Sequence, residues 1–225
     1  MKKNKLNFIE KIIFNIIDKS NKRSPHSNPK IMNENIYNFR KKISKKFIKY
    51  LPNKSIGIDV GAGRGIFSKI LAPRTTYNLD TDFPKNALEP KIKSYAENIP
   101  FKNEELDYAL VFYSFHHFKN PKKALKEIYR ILKKKGFLIT MIETLRFPKQ
   151  EKLTHLNEIS MEKIIYKKNE PFKYVKHQEQ YFTKKSFEKE IQKIGFEIIS
   201  QESFPTIKKI NFFFKTKKIL YILKK

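Results

Sequence analysis

Two patterns of apolar residues alternate along the central part of this chain, and together they predict its architecture. Short β-branched runs, beginning with Ile56, Ile58 and Val60, read as buried strands. Stretches with apolar residues three and four apart read as amphipathic helices. In order they give a strand over 56–60, a helix over 66–72, a strand over 75–79, a strand over 107–113, a helix over 121–132 and a strand over 137–142. Strands alternating with helices predict an α/β fold with a doubly wound, mostly parallel sheet. Upstream, Phe8, Ile9, Ile12, Ile13, Ile16 and Ile17 mark an amphipathic helix. Asp18 to Asn35, with Pro25 and Pro29, reads as a loop, and Ile36 to Tyr50 as a second helix that Pro52 ends. Downstream, Leu145 to Gln180 is polar, with a helix expected around Leu156 to Tyr166. Thr183 then caps a helix through Ile194, Gly195 stops it, Phe196 to Ser200 is a strand, and I-L-Y-I-L near the end is the last one. The expected division is an N-terminal helical cap over 1–50 and a main domain over 51–225, with a substrate-side insertion at 145–180.

The joint between the first strand and its helix carries the first candidate chemistry. It reads D-V-G-A-G-R-G-I-F, with Gly61, Gly63 and Gly65 at alternate positions. Such a turn turns backbone N–H groups toward the crevice at the sheet's carboxyl edge. The spacing G-x-G-x-G and the lack of a following Lys-Ser/Thr pair fit dinucleotide and triphosphate sites poorly, and fit a ligand without phosphates better. Asp80 ends the second strand about 20 residues beyond the first glycine, where a carboxylate accepts both hydroxyls of a ribose.

Composition narrows the field. The 225 residues suffice for one α/β domain with a sizeable core. No apolar run approaches the roughly 20 residues that span a bilayer, and no cleavage site follows the basic start, so a cytoplasmic protein is expected. The absence of cysteine excludes a disulfide scaffold, a thiolate zinc site, an iron–sulfur cluster and a cysteine nucleophile, and no metal site is expected. The net charge of +27 is dominated by lysine and spread along the whole chain, which reads as a solvated surface rather than one binding patch.

With the glycine loop and Asp80 come two further segments, Y-A-E-N-I-P-F and L-D-Y-A-L-V-F-Y-S-F-H-H-F-K-N-P-K-K-A-L-K-E-I-Y-R-I-L-K-K-K-G-F-L. In this order the motifs resemble the class I S-adenosylmethionine-dependent methyltransferases, over roughly Ile56 to Ile142. Within that family the chain is most similar to the subgroup with an A-E-x-L-P-F element and a histidine pair after the fourth strand. The resemblance implies a seven-stranded sheet, six strands parallel and the last antiparallel, with S-adenosylmethionine as cofactor. It also implies roles for residues. Gly61, Gly63 and Gly65 would let the backbone approach the methionine and ribose portions, and Asp59 would orient the glycines or the amino group. Asp80 would take the ribose hydroxyls, Ala96 would donate its N–H to the adenine, and Ile99 and Phe112 would pack on or near the ring. Tyr95 stands where relatives carry an acidic residue, so either Glu97 substitutes or that bond is missing. The linker from Thr81 to Ser94 is short and broken by Pro84 and Pro90, and is expected to be a loop with one extended segment.

For catalysis the candidates are His117, as a base or a structural histidine, and Glu143 at the end of the fifth strand, with His155 and Glu158 in the insertion. Methyl transfer to an oxygen or nitrogen of a small-molecule or saccharide/lipid-linked acceptor is the expected reaction. RNA or protein acceptors, and a non-catalytic member that binds cofactor or a partner, are the alternatives. Nucleic acid is not favoured, since the loop after the fourth strand reads Y-S-F-H-H rather than Asp/Asn-Pro-Pro-aromatic. Weak peripheral contact with anionic lipid through Phe212, Phe213, Phe214 and the nearby lysines is a third reading.

Overall fold

A computed structural model describes residues 29–146, 158–166, 174–204 and 215–225. It divides into two compact units, residues 1–45 and 46–225. Helix α1 (Pro29–Phe47) supplies the described part of the first unit and ends in the second, where a 3-10 turn (Ile48–Tyr50) follows. The helix begins earlier than the sequence suggested. Proline at a first helical position loses no intrahelical bond, so Pro29 starts the helix instead of breaking it. The amphipathic stretch at 6–17 and the phenylalanines at 212–214 lie outside the described residues.

The second unit is built on one sheet. Its strands are β1 (Ile56–Val60), β2 (Thr75–Asp80), β3 (Lys91–Lys93), β4 (Leu106–Phe112), β5 (Leu132–Arg146), β8 (Glu197–Phe204) and β9 (Lys215–Lys224). They lie in the order β3-β2-β1-β4-β5-β9-β8. The pairs among β1 to β5 are parallel, while β9 runs antiparallel to both β5 and β8. This is the doubly wound, seven-stranded sheet that the resemblance implied. Helices α2 (Ile66–Ile70), α3 (Pro121–Ile131) and α4 (Lys184–Ile194) accompany it. The linker 81–94 contains the single short strand β3, as expected from its prolines.

Strand and helix positions follow from burial. Ile58, Val60, Ala109, Val111 and Leu138 on the strands meet Leu125, Ile128 and Ile131 of α3 and Phe187 and Ile191 of α4 in one apolar core. Asn120 caps α3 by accepting from Lys123 N, followed by Pro121 at the first helical position. Thr183 and Ser186 form a reciprocal capping box on α4, and Gly195, at φ 115°, closes its other end.

One expectation fails. The segment read as a helix around Leu156 to Tyr166 is strand β6 (Glu158–Tyr166), paired antiparallel with β7 (Tyr174–Phe182) in a separate two-stranded sheet. Ile159, Met161 and Ile165 stand two and four apart, and pairing with β7 selects that period over the helical one. The ribbon returns to the main sheet at Phe182, which is buried against Phe115 and Phe187 with ring centroids 6.2 and 5.4 Å away.

The turn at 99–103, which carries the I-P-F element, is fastened to α3. Arg130 donates to the carbonyls of Ile99 and Phe101, at 2.9 and 2.7 Å, and to Glu127, whose carboxylate accepts from Ile99 N at 3.1 Å. The bonded guanidinium holds the Glu127 carboxyl below the usual carboxylate range. Arg130→Ala should therefore cost about 1–3 kcal/mol in urea unfolding at neutral pH. A depressed folded pKa contributes stability that is present above the unfolded value, near 4.3, and lost as pH falls through the folded one. The gap between wild type and variant should accordingly narrow below about pH 4. A gap that does not change between pH 7 and pH 3 would refute the ion-pair origin.

Tyr108 is fully buried and its ring fills the place that a Cβ on Gly57 would need. Its hydroxyl is shared with Thr76, and burial pushes its pKa up to about 12. Tyr221 is raised further, by burial and by the Glu188 carboxylate bonded to it. Folded values raised above the unfolded value near 10 contribute stability that is present below that pH and lost above it. Thermal scans should show the melting temperature falling steeply from pH 10 upward.

Candidate functional site

The order of strands reverses between β1 and β4, and in doubly wound sheets the ligand crevice opens at such a point beyond the carboxyl ends. The glycine loop lies there. Gly61, Gly63 and Gly65 have φ of 75°, 56° and 70°, a region that costs other L-residues about 1–2 kcal/mol. Their surroundings separate them. A Cβ on Gly61 would stand 2.5 Å from Ser114 Oγ, and one on Gly65 would stand 2.5 Å from Asn78 Nδ2. A Cβ on Gly63 would meet nothing within 4 Å. Gly61 and Gly65 thus serve close packing, and Gly63 alone faces open space.

Packing on both sides fixes the loop. The N–H groups of Gly61 and Ala62 both donate to Leu79 O, at 2.8 and 3.0 Å. Ser114 Oγ donates to Gly61 O at 3.1 Å or to Phe112 O at 3.0 Å, spanning the reversal point. Fully buried Asn78 donates to Leu88 O. Asn78 escaped sequence reasoning, because it is identified only by the distant glycine it abuts.

Asp80 ends β2 beside this loop. Its Oδ2 accepts from Gly63 N at 2.8 Å, while Oδ1 accepts from Thr81 N at 2.8 Å and Asp82 N at 3.3 Å. A carboxylate offers about four lone-pair positions, so a further hydroxyl can be accommodated. Asp59 is buried at 1% exposure on β1, in register with Asn78 on one side and Leu110 on the other.

The positions assigned to adenine are divided. Ala96 is buried, and its N–H has no partner among the described residues, so it is available to a ring. Ile99 and Phe112 are each 2% exposed, which leaves almost no side-chain surface for a ligand. Phe112 packs instead on Phe67 and Phe47, with ring centroids 4.6 and 6.1 Å away. Glu97 Oε1 accepts from Asn120 N at 2.7 Å, tying it to the start of α3, and Tyr95 is 63% exposed.

Beyond β4 the chain turns sharply. Tyr113 has φ 60°, an uncommon value for a bulky residue, and leads into a 3-10 turn (Phe115–His117). The two histidine rings lie 4.0 Å apart. His116, not His117, lines a narrow crevice of about 10 Å³ together with Tyr113, Ser114, Met141, Glu143 and Phe182. His117 is exposed, and its backbone N–H donates to Ser114 O. Glu143 is half-buried at this crevice, 3.5 Å from Lys218 Nζ on β9. His155 lies outside the described residues, and Glu158 begins β6, in register with Phe182. Among the described residues no cluster of acidic residues and histidines has the makings of a metal site.

The open space at Gly63, the fastened carboxylate of Asp80 and the Ala96 N–H fit the cofactor implied by the motifs: an unphosphorylated nucleoside with a short polar chain. Gly63 N–H is committed to Asp80, so the loop's contribution at this point is space rather than a donor.

Known proteins resemble this chain in sequence or in fold. A family model described as a methyltransferase domain matches residues 32–201. The ubiquinone/menaquinone biosynthesis C-methyltransferase of Campylobacter jejuni is 32% identical over 124 residues, covering 50% of this chain and 51% of that protein. A tRNA (carboxymethyluridine(34)-5-O)-methyltransferase of Schizosaccharomyces pombe is 30% identical over 97 residues, 40% of this chain and 42% of its own. The chain thus matches about half or less of these curated relatives' length. Among solved structures, a Listeria monocytogenes protein described as a putative S-adenosylmethionine-dependent methyltransferase superposes with a TM-score of 0.61 at 16% identity, covering 81% of this chain and 97% of its own. The Burkholderia thailandensis 1,6-didemethyltoxoflavin-N1-methyltransferase, which holds S-adenosylhomocysteine, gives 0.61 at 13% identity, covering 100% and 93%. The two structures share the fold, and the model matched over most of the sequence shows that the chain belongs to the methyltransferase domain family.

Proposed function

We propose that this protein transfers a methyl group from S-adenosylmethionine to an oxygen or nitrogen of a small-molecule or saccharide/lipid-linked acceptor. The observation that carries the reading is the contrast within the glycine loop: two glycines are filled against protein, and the third opens onto empty space beside Asp80. When bound, the cofactor supplies a sulfonium methyl, whose carbon takes the acceptor's lone pair while the carbon–sulfur bond's electrons return to sulfur. The chain's part is to hold and align. Asp80, which braces Gly63 N, would bond the ribose hydroxyls and the Ala96 N–H would meet the adenine, with buried Asp59 on β1 just before the loop. In-line displacement needs few catalytic groups once donor and acceptor are held about 3 Å apart.

Glu143 and His116 stand where an acceptor would present its proton, at the crevice beyond β4. His116→Ala should lower turnover about tenfold or more with cofactor affinity intact, and His117→Ala should change neither much. The reverse ranking would restore His117 as the base. The experiment for the reaction itself uses cofactor labelled in its methyl group, incubated with fractionated cell extract. Label is expected in the small-molecule or lipid fraction. Label in protein or RNA alone, or no transfer into any fraction, would contradict the proposed acceptor class.

A tRNA acceptor is the second reading, favoured by the +27 charge and by the activity of the fission-yeast relative, a tRNA methyltransferase. Scattered lysines give screened attraction, so filter binding of tRNA should be weak and largely erased by moderate salt. Nanomolar, sequence-selective binding at physiological salt would instead make tRNA the leading acceptor.

A further inference from the structure

Three glycines in five residues leave the loop at 61–65 with little stiffness of its own, so its shape depends on bonds that hold it from outside. Strand β2 supplies some of them: Leu79 O takes the N–H groups of Gly61 and Ala62, and Asp80 takes that of Gly63. Another comes from the linker after β2. Leu88 N donates to Arg64 O at 3.0 Å. Arg64 stands between Gly63 and Gly65, both with positive φ, so its carbonyl belongs to a peptide that glycine lets rotate at little steric cost. The bond from Leu88 fixes which way that peptide faces, one residue beyond the open space at Gly63.

Burial does not hold Leu88 in place. Its side chain is 38% exposed, and residues 84–86 and 89 around it are exposed as well. Asn78 holds it instead: its Nδ2 donates to Leu88 O at 2.9 Å, and its backbone N–H donates to Pro90 O at 2.8 Å. Asn78 is fully buried, two residues before Asp80 on β2, with its side chain against Gly65. Its Oδ1 has no hydrogen-bond partner among the described residues. An unmet buried oxygen costs stability relative to an apolar group, so filling the place beside Gly65 does not call for an amide. What the amide adds is the bond to Leu88.

Building on the methyl-transfer reading, we infer that Asn78 is a positioning residue for the cofactor site: it ties Leu88 down, and Leu88 holds the Arg64 peptide so that the space at Gly63 stays open for the ligand. The effect runs from the Asn78 side chain through the Leu88 backbone to the Arg64 carbonyl, and Asn78 itself does not touch the cofactor. Because the tie favours the loop that binds, linkage requires the cofactor to favour the tie by the same factor.

The test measures S-adenosylhomocysteine affinity by calorimetry, amide exchange by NMR, and melting temperature, in the wild type, Asn78→Leu and Lys85→Ala. Leucine branches at the same carbon as asparagine, so it fills the place beside Gly65 but cannot donate. The released Leu88 carbonyl lies in an exposed segment and meets water. Asn78→Leu should keep its melting temperature within a few degrees, quicken exchange at Leu88 N–H and weaken binding about five- to tenfold. Lys85→Ala, an exposed change in the same linker, should alter none of the three. In the wild type, saturating S-adenosylhomocysteine should slow exchange at Leu88 by about the same factor and leave Ala87, bonded to Pro84 O within its own turn, unaffected. That arm needs no variant, so it decides the matter if Asn78→Leu does not fold. Unchanged affinity in a folded Asn78→Leu protein, or exchange at Leu88 that the ligand does not slow, would overturn the inference alone. Wild-type protein that binds no S-adenosylhomocysteine would overturn the cofactor reading and this inference together.

Discussion

Gly63→Val is expected to yield a folded protein that does not bind S-adenosylmethionine, whereas Gly65→Val should fail to fold stably. At Gly63 the new side chain enters open space, so the cost to folding is the left-handed backbone alone, about 1–2 kcal/mol and a few degrees of melting temperature. On the proposed reading that space receives the ligand, so a branched side chain there should weaken binding by at least about 100-fold, or roughly 2.7 kcal/mol. At Gly65 the same strain is joined by a clash with the fully buried Asn78, whose amide is engaged with Leu88 O. Overpacking of this kind adds about 1–3 kcal/mol, a large share of a domain's whole stability. Paired melting curves and calorimetry separate the two positions. A Gly63→Val protein that binds normally would show that the open space is not the cofactor's.

Asp80→Ala is the second large effect. It removes the acceptor of three backbone N–H groups, those of Gly63, Thr81 and Asp82, as well as the proposed partner of the ribose hydroxyls. Hydrogen bonds to a charged group contribute about 1.5–3 kcal/mol each, so the affinity should fall by more than tenfold. Asp80→Asn keeps one oxygen acceptor, and should recover part of the loss for the nucleoside. Because Gly63 is braced by the same carboxylate, amide exchange at Gly63 and Thr81 should quicken in Asp80→Ala even without ligand. Unchanged exchange together with lost affinity would assign Asp80 to the ligand alone.

Most of the sheet was legible because its signals are local. Buried strands such as 56–60 and 106–112 are runs of apolar residues bounded by turns, and the caps at Asn120, Thr183 and Gly195 act within one turn of their own helix. The glycine loop and Asp80 were legible for the same reason. What was missed depends on partners far along the chain. The β6–β7 ribbon was read as a helix because Met161, Ile164 and Ile165 also satisfy the helical period, and only pairing with 174–182 excludes it. The direction of the histidines is set by the tight turn after Tyr113, which places His116 at the crevice.

Arg130 illustrates the same limit at the adenine side. A helix arginine reaching the carbonyls of Ile99 and Phe101 makes the I-P-F turn a fastened structure, so the near-complete burial of Ile99 accompanies anchoring of the turn and leaves little of its side chain for a ligand. The exposed Tyr95 and the committed Glu97 leave the Ala96 N–H as the assigned polar contact to the ring. Affinity should therefore depend more on Asp80 and the open loop than on the adenine edge.

Isothermal titration of the purified protein with S-adenosylmethionine and S-adenosylhomocysteine tests the central claim most directly. Saturable binding of one molecule per chain at micromolar concentration, lost in Gly63→Val and weakened in Asp80→Ala, is the predicted result. No heat and no thermal shift with either compound at millimolar concentration would contradict it.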